Sequence, residues 1–217
     1  MKKYICLAFI ISSYFCVSQT NLDDYYSSIK QLKTKQTKLG QQPITDIVLK
    51  QTSSDLYETL TDKIFPTWYR TTWDFNGISN VPGEGEIACG YFVSTTLKHV
   101  GFNLNRYKLA QQASEVIAKS ICGTSNTTTI TDNDLFYKYL EQYDNEILVV
   151  GIDFHVGFIV IKNKTPYFVH SDFINGEVVS ELVENSEALN AASIYVIGKI
   201  TNNDTLMKKW IKKTKIY

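Results

Sequence analysis

Residues 155–170 constrain the fold of this chain more than any other segment. Two mainly apolar runs, residues 155–162 and 165–170, flank the pair Asn163-Lys164. Two short apolar runs separated by two turn-forming residues predict a β-hairpin. The hairpin also carries two of the three histidines in the chain, one near each end.

A two-residue turn fixes the register of this hairpin, because Lys162 then pairs with Thr165. His155 and His170 lie on the same face of the sheet in that register, since side chains alternate along each strand. They become diagonal neighbours, roughly 7–8 Å apart, which allows a hydrogen bond between the rings. A three-residue turn places the rings on opposite faces, and a four-residue turn lengthens the diagonal. Asp172 lies directly opposite His155 in the two-residue register.

Cys89 is the second feature with chemical meaning. It follows a loop rich in Gly and Pro, residues 81–88, and precedes residues 90–100, whose apolar positions recur at helical spacing. We therefore expect Cys89 at a helix N-terminus, where free N–H groups and the helix dipole stabilise a thiolate. A cysteine followed along the chain by histidines is the order expected of a cysteine hydrolase.

These residues suggest a nucleophile, a base and an orienting group. Cys89 is the candidate nucleophile, His155 the candidate base, and His170 the candidate that orients the His155 ring. Asp172 is an alternative in the third role, and Asp153 is a weaker one. His99 lies ten residues further along the helix, about 15 Å from Cys89, and is not expected to take part.

The remaining pattern predicts an α+β domain, with helices first and an antiparallel sheet after them. We assign residues 19–65 to a polar, partly helical segment and residues 66–217 to the main domain. The predicted helices are 46–64, ended by Pro66, one or two within 104–121, one from about 132 to 143, and 204–213. Further strands are predicted at 146–152 and 193–200, and residues 126–131 are predicted to be a polar loop.

The first eighteen residues have the pattern of an export signal. Lys2 and Lys3 precede an apolar run that is too short to span a bilayer, and small residues offer a cleavage site before Gln19. We therefore expect a protein exported to the periplasm, cell surface or exterior, without a membrane span after signal removal. Lipidation at Cys16 is an alternative, disfavoured by the bulky aromatic residues that precede it.

Charge and cysteine content narrow the choice of partners. The chain has 22 basic and 22 acidic side chains, which gives no electrostatic reason to expect nucleic acid binding. Removal of the signal leaves Cys89 and Cys122. Two cysteines in an exported protein can form a disulfide, and this is the structural alternative to a catalytic role for Cys89.

Residues 68–172 resemble the NlpC-type cell-wall endopeptidases, a branch of the papain-like cysteine peptidases. The resemblance rests on the aromatic lead-in at 73–77, the cysteine segment 89–93 with the stretches 100–106 and 110–113 after it, and the two histidine strands. It implies a papain-like fold and hydrolysis of amide bonds in peptidoglycan stem peptides. It also implies an acyl-enzyme at Cys89, with no metal or cofactor.

One departure from the family pattern leaves the bond that is cleaved open. The family usually has Asp-Cys-Ser-Gly, where this chain has Ala88-Cys89-Gly90-Tyr91, and that Asp recognises substrate in the family. Trp73, Asn76 and Tyr91 are candidates for substrate binding and for a second oxyanion donor beside the Cys89 N–H. Related CHAP amidases, a peptidase with a substrate outside the wall, and an inactive binding module of the same fold are the alternatives.

Overall fold

A computed structural model describes residues 6–217, with side chains described from residue 22 onward. The predicted signal segment, residues 1–18, lies outside the residues whose side chains are described. No helix in the described part of the chain is long and apolar enough to cross a membrane.

The described chain is an α+β domain built around a six-stranded antiparallel sheet with strand order β1-β6-β2-β3-β4-β5. The strands are β1 Thr127–Ile130, β2 Glu146–Ile152, β3 His155–Lys162, β4 Thr165–Asp172, β5 Glu177–Leu182 and β6 Tyr195–Lys199. The predictions of β2, β3 and β4 are confirmed, and β6 is slightly shorter than predicted. The polar loop predicted at 126–131 is wrong, because it contains β1. The sequence analysis did not predict β5.

The two missed strands are the edges of the sheet. Among the strands of the sheet, β1 pairs only with β6 and β5 only with β4, although residues 70–73 add backbone hydrogen bonds to the outer side of β5. An edge strand is less buried than a central one, so its sequence can be polar. The central strands β2 and β3 are buried along almost their whole length, which is why their apolar runs were visible in the sequence.

The β3–β4 hairpin has the register that the sequence predicts. Lys162 pairs with Thr165, and Phe158 pairs with Val169. Asn163 and Lys164 both have positive φ, 50° and 66°, as the two central residues of a type I′ turn require. The tight turn therefore sets the alignment of the two histidine strands.

The helices cover both faces of the sheet. Their bounds are α1 Cys6–Leu39, α2 Asp46–Thr59, α3 Phe65–Trp68, α4 Cys89–His99, α5 Arg106–Ala110, α6 Ser114–Cys122, α7 Asn133–Leu140, α8 Glu187–Asn190 and α9 Asp204–Ile211. A π-helical turn, Leu60–Ile64, joins α2 to α3. Pro66 does not end the predicted helix, since it lies in the first turn of α3, where its missing N–H is not needed.

The N-terminal segment packs into the same core as the rest of the chain. Tyr25 and Leu32 of α1 belong to one buried cluster with Leu97 and Trp210. The Gln36 side chain donates a hydrogen bond to the Trp210 carbonyl. The boundary placed after residue 65 therefore does not separate two packing units.

Helix α4 is fixed to the sheet by an aromatic cluster. The Phe92 ring is fully buried and contacts the rings of Phe65, Trp68 and Phe158, with centroid separations of 6.2, 6.1 and 6.0 Å. Burial of one such side chain contributes about 1.5–3 kcal/mol. The cluster ties the first turn of α4, which carries Cys89, to strand β3, which begins with His155.

Candidate active site

Cys89 is the first residue of α4, as the sequence predicts. Two hydrogen bonds hold the chain just before it. The Ser171 hydroxyl donates to the Ile87 carbonyl at 2.6 Å, and the Ala88 N–H donates to the Gly77 carbonyl at 2.9 Å. Ala88 is the N-cap of α4, and its side chain makes no capping hydrogen bond. The first N–H groups of the helix therefore remain available to a ligand.

Cys89 and Cys122, the two cysteines whose side chains are described, are free thiols. Cys122 is buried, and its Sγ donates a hydrogen bond to the Lys199 carbonyl. The disulfide alternative for Cys89 and Cys122 is therefore wrong. Cys89 is half-buried and lines a surface cleft, whereas Cys122 is buried.

The position of Cys89 at a helix N-terminus predicts a thiolate, and thus a lowered thiol pKa. The pKa is instead raised, so this expectation is wrong. Burial raises the pKa of the Cys89 thiol, and backbone N–H groups of Val156, Gly90 and Cys89 itself oppose that shift only in part. The helix N-terminus does stabilise the anion, but the loss of water around the sulfur outweighs it. Cys89 therefore rests as a thiol at neutral pH.

The rings of His155 and His170 are joined by a hydrogen bond, which confirms the predicted geometry of the hairpin. His155 Nε2 and His170 Nδ1 are 2.8 Å apart, and the two rings meet edge to face. Gly157 makes this possible, because a Cβ there would come within 2.6 Å of the Phe168 ring and 2.8 Å of the His170 Cβ. The Phe168 ring stacks on His170 and fixes its plane.

Glu181 on β5 extends this pair to a chain of three groups, called here the His–His–Glu chain. Its Oε1 lies 3.1 Å from His170 Nε2. Burial raises the pKa of Glu181, but hydrogen bonds from His170 and Ser186 together bring it below the ordinary value. The carboxylate is therefore ionised at neutral pH.

An ionised Glu181 determines which nitrogen carries each proton. A carboxylate only accepts, so His170 Nε2 donates to it. In the tautomer that carries its only ring proton on Nε2, His170 accepts at Nδ1, and His155 Nε2 donates to it. The remaining nitrogen of His155, Nδ1, is left with a lone pair that can accept a proton. Burial, and then the neighbouring His170, lower the pKa of His155 well below its ordinary value, so this base is neutral at physiological pH.

The other candidate polar groups lie elsewhere. Both carboxylate oxygens of Asp172 accept hydrogen bonds within the β4–β5 turn, from Ile174 and Asn175. Asp153 accepts hydrogen bonds from Ser193. The structure therefore places His170, and neither carboxylate, against the His155 ring. His99 contacts the Tyr25 hydroxyl and Asn80, away from the His–His–Glu chain.

Cys89 and His155 line one surface cleft of about 760 Å³, called here the Cys89 cleft. All three candidate substrate-binding residues, Trp73, Asn76 and Tyr91, also line it. Its remaining lining residues, which the sequence analysis did not select as site residues, are Phe75, Ile78, Ala88, Gly90, Ala110, Gln111, Gln112, Phe154 and Phe173. The Phe173 ring packs edge-on against His155 and also contacts Trp73.

Arg106 supports one wall of the cleft. It is buried, and its guanidinium donates to the carbonyls of Ile78 and Ser79 at 2.7 and 2.9 Å. It also lies against the rings of Tyr91 and Tyr107, 5.2 and 4.8 Å from their centroids. Its hydrogen bonds therefore hold the loop before Cys89.

Glu181 and two aromatic residues of the cleft were not predicted from the sequence, for different reasons. Glu181 lies on an unpredicted strand, although the turn signal Asn175-Gly176 precedes that strand and was available. Phe154 and Phe173 lie in turns, where periodicity gives no information.

Within the described residues, no group of three or more His, Cys, Asp or Glu side chains is arranged to hold a metal ion.

Comparison with known proteins finds no matching family model, no matching curated protein and no matching solved structure. The resemblance to the NlpC-type endopeptidases therefore depends on the sequence motifs alone.

The raised pKa of the thiol predicts how fast Cys89 reacts with iodoacetamide at different pH values. The alkylation rate should keep rising above pH 8.5, the ordinary pKa of a cysteine being about 8.5, because the thiolate fraction is small at neutral pH. The rate is measured on native protein by mass spectrometry, with Cys89→Ala as the control for labelling at Cys122. A plateau near neutral pH would instead show a preformed thiolate–imidazolium pair.

The His–His–Glu chain predicts a graded response at Glu181. Glu181→Ala should lower kcat/KM on a cleaved substrate about 100-fold, and Glu181→Gln about tenfold, because Gln keeps an acceptor oxygen without the charge. Loss of the negative charge also removes electrostatic stabilisation of protonated His155, so its pKa falls. The acid limb of the pH–rate profile should therefore move to lower pH in both variants.

The matched control for this experiment is Glu184→Gln, the same substitution at a neighbouring exposed carboxylate. It should leave both the rate and the pH profile unchanged. If the acid limb does not move in the Glu181 variants and activity falls only in proportion to the folded fraction, Glu181 has a structural role and does not act on the His155 base.

Proposed function

We propose that this protein is an exported cysteine hydrolase with a papain-like fold that cleaves an amide bond through an acyl-enzyme. The observation that carries the proposal is the placement of Cys89, at a helix N-terminus, in the same cleft as a histidine whose ring is held by His170. A nucleophile, a base and an orienting partner are the parts that such a reaction needs.

The first half of the reaction forms the acyl-enzyme. The Cys89 sulfur attacks the substrate carbonyl carbon while His155 Nδ1 takes the thiol proton. The Cys89 N–H, at the uncapped start of α4, donates to the developing oxyanion. When the intermediate collapses, the C–N bond breaks, and the imidazolium gives its proton to the departing amine.

The second half releases the acyl group. Water attacks the thioester, and His155 takes a proton from it and returns a proton to the sulfur. The net reaction consumes one water and yields a carboxylic acid and an amine. Glu181 acts through His170 and stabilises the imidazolium that forms at His155 in both halves. The depressed pKa of His155 suits a base that must be neutral before each attack.

The substrate and location follow from the resemblance and the N-terminal segment. The NlpC-type endopeptidases cleave peptidoglycan stem peptides, so amide bonds in those peptides are the first substrates to test. Export by the segment 1–18 would place the protein on the side of the membrane where that polymer lies. A CHAP-like amidase shares the order of cysteine and histidine and differs in the bond that it cleaves.

An inactive binding module is the competing function. Such a module has no need of a free thiol in a cleft or of two buried histidines joined by a hydrogen bond. The free state of Cys89 and the ionised Glu181 behind His170 favour an enzyme.

Substitution of the nucleophile and the base tests the proposal. Cys89→Ala should lower the rate of peptidoglycan or peptide hydrolysis at least about 10⁴-fold, and His155→Ala by a similar factor, because each removes an essential group. The products of hydrolysis are identified by mass spectrometry of the new termini, which also gives the bond cleaved.

The control is Cys122→Ser, which removes the other described thiol and leaves the cleft intact. The folded fraction of this variant should retain wild-type activity. Full activity in Cys89→Ala would contradict the mechanism. Absence of Cys89-dependent cleavage from every peptide, peptidoglycan and amide substrate tested would favour the binding module.

A further inference from the structure

The Cys89 cleft carries almost no charge. None of the side chains that line it is Lys, Arg, Asp or Glu, and aromatic or aliphatic groups form most of its surface. Besides Cys89, His155 and Tyr91, the polar side chains on its wall are the neutral amides Asn76, Gln111 and Gln112. A ligand that fits this cleft therefore presents apolar groups together with neutral hydrogen-bonding groups.

The rim of the cleft exposes large apolar side chains. Phe154 is 99% exposed, Phe75 79%, Ile78 52% and Phe173 48%. They come from three separated segments of the chain and meet around one cleft. Exposed apolar groups that converge in this way usually mark a binding surface, whereas isolated ones need no explanation.

The charges nearest to the cleft disfavour an anionic ligand. A neighbouring depression shares Asn76 and Ile78 with the cleft and carries Glu84 and Glu86. Arg106 is the basic group behind the wall, but it is buried and hydrogen-bonded to backbone carbonyls. A carboxylate or phosphate in the cleft would therefore find acidic groups in the neighbouring depression and no Lys or Arg among the side chains that line the cleft.

We propose that the cleft selects peptides with bulky apolar side chains next to the scissile amide. This inference rests on the proposed cysteine hydrolase and narrows its substrate class. The apolar rim would bury those side chains, while the neutral amides would pair with the peptide backbone. A peptide fits better than a phospholipid, because a lipid phosphate has no cation to bind at the cleft.

The inference distinguishes between the substrate classes that the proposed function leaves open. Stem peptides are built largely from alanine and from residues that carry carboxylates, which use little of an apolar cleft. Peptides rich in Phe, Leu or Met would use it fully. The cleft therefore favours a peptidase whose substrates lie outside the stem peptide.

Cleavage of a defined peptide mixture tests the preference. The wild-type protein is incubated with peptides that place each residue type on both sides of every bond, and new termini are identified by mass spectrometry. Bonds flanked by Phe, Leu or Met should be cleaved at least about tenfold faster than bonds flanked by Asp or Glu. Purified stem peptides and phospholipid vesicles are assayed in parallel.

Substitution at the rim tests whether the exposed side chains cause that preference. The double variant Phe75→Ser/Phe154→Ser should raise KM for the best apolar peptide about tenfold with kcat changed less than about twofold. Ile47→Ser is the control, because Ile47 is as exposed as Phe75, at 79%, but lies on α2 and does not line the cleft. The control should leave KM unchanged.

The outcomes separate this inference from the proposed function. Cys89-dependent cleavage with a preference for acidic flanking residues, for stem peptides or for phospholipid would overturn the inference and leave the nucleophile intact. Unchanged KM in the double rim variant would overturn it as well. Cleavage that persists in Cys89→Ala would overturn the proposed function itself.

Discussion

The hydrogen bond between His155 Nε2 and His170 Nδ1 is the interaction on which the site depends. It exists because a type I′ turn at Asn163-Lys164 sets the register of β3 and β4. It also requires a glycine at position 157, since any Cβ there would collide with Phe168 and His170. A change in turn length by one residue would move one ring to the other face of the sheet.

Burial determines the resting protonation states of Cys89 and His155. It raises the pKa of Cys89 and lowers that of His155, so the resting pair is a neutral thiol and a neutral imidazole. In the proposed reaction, charge separates only when the thiol attacks, and the carboxylate of Glu181 would then stabilise the imidazolium through His170. The same burial makes the site sensitive to Glu181, because a charge interaction at a given distance is stronger in a protein interior than in water.

The sequence predicted the parts of the site that local rules determine. The hairpin register depends on two turn residues, and the start of α4 follows from the loop before Cys89, so both were accessible without tertiary information. Glu181 was not, because its partner His170 lies on another strand and β5 is a half-exposed edge without a clear apolar pattern. The net pKa shift of Cys89 depends on how much water the folded chain removes, which no motif encodes. The packing of α1 into the main core was likewise hidden by its polar composition.

The most direct test of the account is to trap the acyl-enzyme. Wild-type protein is mixed with a cleaved substrate, quenched in acid within the first turnover and digested for mass spectrometry. The account predicts that the acyl fragment of the substrate is attached to Cys89, that Glu181→Gln slows its formation, and that Cys89→Ala has no adduct. Hydrolysis without any adduct at Cys89, or an adduct at Cys122 instead, would contradict the assignment of Cys89 as the nucleophile.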